Sequence, residues 1–229
     1  MAGTLMPMAP TDPPRALRVD AARNREAILE AARQVFAESG TDAALEEIAR
    51  RADVGIATLY RRFPTREDLV ATAFEPRLHA YRAAAEAAVA APDPWDGFSG
   101  FVRAACAMQA ADTGFADVLA LTFPATAELD RQLRSATAGL GDVIERAKDA
   151  GALRADFALE DLVLLLMANA GVVNATKRHA PNAWKRFAAY MLDAFRAPGA
   201  SSLPKPISPA RLARAIRRST VPPNGTDRP

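Results

Sequence analysis

Residues 56–66 of this 229-residue chain read IATLYRRFPTR, placing two threonines, a tyrosine and three arginines close together. On a helix at 100° per residue, Ala57 and Arg61 point away from Leu59. Thr58 and Arg62 lie on one flank and Tyr60 on the other. Such a face suits recognition of a nucleic acid. Arginine binds guanine O6 and N7 bidentately, threonine bonds a base edge and packs its methyl on thymine, and alanine admits close approach. The tyrosine hydroxyl donates to a phosphate. Arg66 opens the next helix, where its charge and the backbone N–H groups offer a second phosphate contact. Ile56 either joins Leu59 and Phe63 inward or belongs to the same outward set.

That face needs a rigid mount, and the preceding residues supply one. Asp20 is an N-cap for a first helix, in which Ile28, Ala31, Ala32, Val35 and Phe36 share one side. Gly40 ends it. Asp42 is placed to cap a second helix carrying Leu45, Ile48, Ala49 and Ala52 at helical spacing. Asp53–Val54–Gly55 is a three-residue break before the third helix, Ile56 to Phe63. Ala49 lets the two helices cross closely, Asp53 tolerates a left-handed turn, and Val54 fills the space between them. Pro64 ends the third helix, and Thr65 caps a fourth with Arg66, Glu67 and Asp68 in its first turn. Helix, short turn, short helix is the helix-turn-helix arrangement.

The remaining segments read as helices to about Ala90 (with Pro76 a kink or break) and then over 95–112, 114–121, 126–149, 159–178 and 182–196. No stretch alternates apolar and polar residues, so no sheet is expected. The predicted fold is all-α: an N-terminal three-helix DNA-binding domain over 20–65 (motif 43–62) and a C-terminal helical bundle over 66–196. Residues 1–19, with four prolines, read as a disordered arm. Residues 197–229 read as a proline-rich basic tail, in which Pro209 to Ser219 is a candidate short helix.

Composition narrows the function. The charge is +1 over residues 1–66, −4 over 67–196 and +5 over 197–229. A chain this near neutrality is no bulk polycation, so contact with nucleic acid must come from a local face. Cys106, His79 and His179 are the whole cysteine and histidine complement, which argues against a disulfide framework and against a His/Cys metal site. No Gly-rich phosphate loop, HExxH, GxSxG or Cys/His pair is present, so no catalytic residue and no cofactor is expected. No transmembrane helix or secretory signal is expected, which predicts a cytoplasmic protein without a membrane partner.

Residues 20–70, with AARQVFAESG and then LEEIARRADVGIATLYRRFPTREDLV, resemble the DNA-binding domain of the TetR (tetracycline-repressor-like) transcriptional regulators. The most specific part is Val54–Gly55–x–Ala57–Thr58–Leu59–Tyr60–x–x–Phe63, followed by Arg66–Glu67–x–Leu69. Asp53 stands where the family usually has glycine, and Gly55 where it usually has serine. Ala44 stands where many members place a hydroxyl residue on phosphate, so that contact is not carried over. Arg62 replaces a usual histidine or tyrosine, so base preference is not carried over either.

The resemblance implies a homodimeric repressor that a small-molecule effector releases from a near-palindromic double-stranded operator. The alternatives are a ligand-dependent activator, or a helical adaptor that keeps the fold without reading DNA. One small helix-turn-helix unit covers about half a site, and dimers place two units roughly 34 Å apart. From Leu159 to Val173 eleven of fifteen residues are Leu, Val, Met or Ala, so that helix must be buried. Leu162, Leu166, Ala170 and Val173, with Trp184, Phe187 and Met191 of the next helix, are the candidate dimer residues. In proteins of this resemblance the last two long helices form such an interface. The effector pocket that the resemblance implies would be enclosed by 95–150, with Phe101, Cys106, Met108, Phe115, Phe123 and Asn169 as candidate lining.

Overall fold

The computed structural model describes residues 15–119, 127–198 and 201–219. Its helices are α1 (Arg15–Ser39), α2 (Leu45–Arg51), α3 (Ile56–Arg62), α4 (Arg66–Ala90), α5 (Pro94–Ala111), α6 (Thr113–Leu119), α7 (Ala127–Thr137), α8 (Leu140–Asp149), α9 (Leu159–Thr176), α10 (Ala183–Phe195) and α11 (Pro209–Ser219). The chain is all-α, and among the described residues there is one isolated antiparallel bridge, Leu153 with Arg196. Phe123 lies outside the described residues.

Three boundaries differ from the sequence reading. α1 opens at Arg15, one turn before the Asp20 cap. α2 starts at Leu45 with Ala44 in the cap position and no side-chain cap. Asp42 does not cap it, because residues 40–43 form a turn in which Ala43 N–H donates to the Gly40 carbonyl at 3.3 Å. The expected helix over 126–149 is two helices. Gly139 between them has φ +89°, and a Cβ there would lie 3.0 Å from Val89 Cγ2 of α4. Both the left-handed backbone and the close approach favour glycine.

Other local expectations match. Asp53 has φ +53°, and Val54 N–H donates to the Ala49 carbonyl at 3.0 Å. The Thr65 hydroxyl accepts from Asp68 N–H at 3.0 Å. Pro76 does not break α4. It removes the donor that would serve the Thr72 carbonyl, and beside it Arg33 Nε of α1 donates to the Ala73 carbonyl at 3.3 Å.

α4 is about 37 Å long at 1.5 Å per residue, and it joins the α1–α3 head to the body. Its aromatic residues bridge the two. Phe74 stacks on Phe36 of α1, ring centroids 5.9 Å apart, and also meets Phe115 of α6 at 5.9 Å. Farther along, Tyr81 meets Phe101 of α5 at 5.3 Å. One continuous core thus runs from the head into the body. At the far end, Arg146 of α8 donates to the Val89 and Ala91 carbonyls at 2.8 and 2.9 Å, satisfying the C-terminal carbonyls of α4. Trp95, Phe98, Phe157 and Phe195 close that end, with Phe157 and Phe195 edge-to-face at 4.9 Å.

Gly114 sets the distance between head and body. A Cβ there would meet Phe74 Cζ at 2.7 Å, Phe36 Cβ at 2.8 Å and the Phe36 carbonyl at 2.9 Å. A ring edge can yield, but the backbone of α1 cannot. Overpacking costs about 1–3 kcal/mol, more than the ~1 kcal/mol of helix propensity that alanine returns. Gly114→Ala should therefore lower unfolding stability by about 1–2 kcal/mol, measured by urea denaturation. An unchanged midpoint would mean the α1–α6 seam is loose.

Candidate nucleic-acid interface

α3 is mounted by its inner side. Leu59 is fully buried and Phe63 nearly so, both in the core with Ile48 and Ala49 of α2. Ala57, Tyr60, Arg61 and Arg62 are exposed and Thr58 is half-buried. Ile56 is exposed too, which places it with the outward set. Arg61 Nη2 lies 3.4 Å from Thr58 Oγ1, so the two polar groups share one patch. Tyr60, 47% exposed, stands on the other flank.

Charge distinguishes α3 from its neighbour. On α2, Arg50 and Arg51 both bond Glu47, and Arg51 also holds Glu38 of α1 at 2.7 Å. Hydrogen bonds from Arg50, then Arg51, hold the Glu47 carboxyl down to about 2. Those cations are already matched. Arg61 and Arg62 have no carboxylate within ion-pair distance among the described residues, so the free positive charge sits on the reading face. Arg66 is placed differently from the sequence reading. Its Nη1 donates to the Thr41 carbonyl at 2.9 Å and the Ala43 carbonyl at 2.6 Å. It ties α4 to the α1–α2 turn, and the residue as a whole is half-buried.

The candidate effector residues are core. Phe101, Cys106, Phe115 and Asn169 are 2% exposed or less, and Met108 packs against the same core. Asn169 of α9 donates through Nδ2 to Gln109 Oε1 at 2.8 Å, and Gln109 Nε2 donates to the Leu166 carbonyl at 3.1 Å. Gln109 was not singled out in the sequence; one glutamine in an apolar helix was its only signal. Asn169 Oδ1 has no donor. Burial pushes the Cys106 thiol up to about 12, so it is protonated at neutral pH and unreactive. Native protein at pH 8 should react with a disulfide reagent at least about a hundredfold more slowly than protein in urea. Equal rates would show that α5 opens readily.

Helical register separates two faces of α9. Leu162, Leu166, Ala170 and Val173 are at most 6% exposed within one chain. They are turned inward and retain almost no surface for a partner. The opposite line, Leu164, Ala168, Gly171 and Ala175, is exposed, Leu164 by 45%. On α10, Phe187 and Met191 are half-buried and Tyr190 is 58% exposed. Trp184, also half-buried, lies about 20° from Met191 on the helical wheel and lines a cleft with Trp95 and Arg103 of α5. α9 is also long and apolar enough to cross a membrane, but here it packs against α5, α6 and α10.

Comparison with known proteins agrees with this architecture. Residues 28–73 match the family described as bacterial regulatory proteins, tetR family. Residues 93–197 match the transcriptional regulator SbtR-like C-terminal domain. A TetR transcriptional regulator of Streptomyces coelicolor is 31% identical, over 75% of this chain and 98% of that one, at a TM-score of 0.47. A TetR regulatory protein of Mycobacterium vanbaalenii is 32% identical, over 79% and 99%, at 0.42. The regulator FadR of Bacillus subtilis, solved with stearoyl-CoA, shares the fold at 17% identity, over 73% and 96%, with a TM-score of 0.53. No curated protein matches the chain. The chain belongs to the TetR family, DNA-binding and ligand-responsive regulators of transcription rather than enzymes.

Proposed function

We propose that this regulator is a cytoplasmic homodimeric repressor that grips a near-palindromic operator through α3 and leaves it when a small molecule binds the body. The observation that carries the reading is the two-sidedness of α3. Leu59 and Phe63 are sunk in the core, while Ala57, Thr58, Tyr60, Arg61 and Arg62 stand outward with no carboxylate partner among the described residues. A helix serving only to fill a bundle would not leave two unmatched arginines and a tyrosine on one short face. In this reading Ile56 borders the groove, and Arg66 holds the head together while its free nitrogens meet a phosphate.

The dimer is assigned to the outward lines of α9 and α10, with Leu164, Ala168, Gly171, Phe187, Tyr190 and Met191 at its centre. A large apolar patch on a soluble chain marks an interaction surface, and two heads on one duplex require a twofold partner. For release, the effector must bind the two head spacings with different affinity. α4 is the element that can transmit the difference, since it runs from Arg66 in the head to the Arg146 contact at the far end.

Selection of bound duplexes from a random library, using purified full-length protein, tests the reading. A recovered near-palindrome with strongly salt-dependent affinity supports it. No recovered motif from a folded dimer at low salt favours the adaptor alternative.

A further inference from the structure

A cleft of about 490 Å³ lies between α5 and α10, and none of Phe101, Cys106, Phe115 and Asn169 lines it. We propose that it is a binding site for an amphipathic acid, an apolar aromatic body carrying one carboxylate.

The walls carry the argument. Trp95 and Trp184 are the chain's two tryptophans, and both line the cleft. Ala188 and Leu192, both buried, form an apolar floor. Trp95 is only 7% exposed, so a planar hydrocarbon body would lie chiefly against the half-buried Trp184 and the apolar floor. Three cations surround it, Arg103, Lys185 and Arg196, against the single carboxylate of Asp193. Among the lining residues that is an excess of two positive charges, in a segment, 67–196, that is net acidic. Two of the cations lie over the tryptophan rings: the Arg196 guanidinium is 4.4 Å from the Trp95 centroid, and Lys185 Nζ is 5.9 Å from the Trp184 centroid. Such placement holds the charge beside the aromatic surface, where a carboxylate attached to a ring would sit. Arg103 is steadied by Ser99, which accepts from its Nη1 at 2.8 Å. The volume falls within the roughly 300–1,000 Å³ of small-molecule sites.

The cationic side of the cleft stays open in the proposed dimer. On the α10 wheel Lys185, Ala189 and Arg196 lie nearly opposite Phe187 and Tyr190, while Trp184 lies about 20° from Met191 and marks the edge shared with the interface. A partner seated on the second line leaves the first in solvent. The site therefore stands or falls independently of operator recognition.

The test uses full-length protein and two matched probes, 4-phenylbutyrate and its neutral counterpart 4-phenylbutan-1-ol. Binding is followed by calorimetry and by tryptophan emission excited at 295 nm, to which both cleft indoles and no other indole contribute. The expected result is saturable binding of one 4-phenylbutyrate per chain with a shift in emission, and at least tenfold weaker binding of the alcohol. Arg103→Gln with Arg196→Gln should weaken the acid at least fivefold, with helix content and oligomeric state unchanged. If that pair fails to fold, Lys185→Gln, on an exposed position, carries the same comparison at twofold or more. Equal affinity for acid and alcohol, absence of saturation with either probe, or full affinity in a folded variant overturns the proposal.

Discussion

Arg61→Ala weakens binding to the selected operator by about thirtyfold or more, with no change in unfolding stability. Arg61 is exposed, and its one side-chain hydrogen bond among the described residues is the long one to Thr58, so truncation removes nothing from the core. Surface changes of this kind stay within about 0.5 kcal/mol. On DNA the loss is larger. A bidentate arginine–guanine pair is worth about 1–3 kcal/mol of discrimination, and a dimer loses it twice. The sum, about 2–6 kcal/mol, corresponds to roughly thirtyfold to twenty-thousandfold. Binding to a random duplex separates base reading from phosphate contact. A base-reading arginine costs operator affinity and leaves random-sequence affinity nearly unchanged. A phosphate-binding arginine weakens both alike and lowers the salt slope by about one. Gel shifts at several salt concentrations distinguish these outcomes, and full operator affinity in the variant would show that α3 does not read the site.

The reading head was legible because local signals there agree with one another. The left-handed Asp53, the Thr65 cap and the inward pair Leu59 and Phe63 each follow from residue type and spacing within a few positions. Where legibility failed, a distant residue decided the outcome. Asp42 reads as a cap, but Arg66, more than twenty positions away, fixes the turn that keeps it from capping. The break at Gly139 depends on Val89 of α4 coming close. α9 is the sharpest case. It is apolar nearly all round, so its sequence has almost no preferred side and cannot say which line faces α5 and which faces outward. Between Leu162 and Val173 its one polar side chain is Asn169, and that residue does face inward, toward Gln109. Counting helical positions from Asn169 places Leu162, Leu166 and Val173 inside and Leu164, Ala168 and Gly171 outside, as the structure has them. The α5–α10 cleft had no such marker, because Trp95 and Arg196 are a hundred residues apart.

That register makes the α9 face testable by one charge. Ala168→Glu is expected to convert the proposed dimer to monomers and to abolish tight operator binding. In a single chain Ala168 is exposed on a long helix, and glutamate is a good helix former, so the folded monomer tolerates it. In the dimer each copy would carry a carboxylate into the middle of an apolar contact. Desolvating an unpaired charge costs several kcal/mol, and twofold symmetry applies that cost twice. Even about 3 kcal/mol in total raises the dimer Kd by more than a hundredfold. Leu162→Ala behaves differently: that side chain is 4% exposed inside one chain, so its loss costs about 2–5 kcal/mol of folding stability with dimerisation intact wherever the protein stays folded. Ala87→Glu, on an exposed position of α4, is the control for added charge and should remain a dimer. Sedimentation velocity read beside far-ultraviolet circular dichroism separates loss of partner from loss of fold. A folded Ala168→Glu protein that still sediments as a dimer would move the interface off this line of α9. The two heads would then have to be joined through some other face, which would also reopen how α4 sets their spacing.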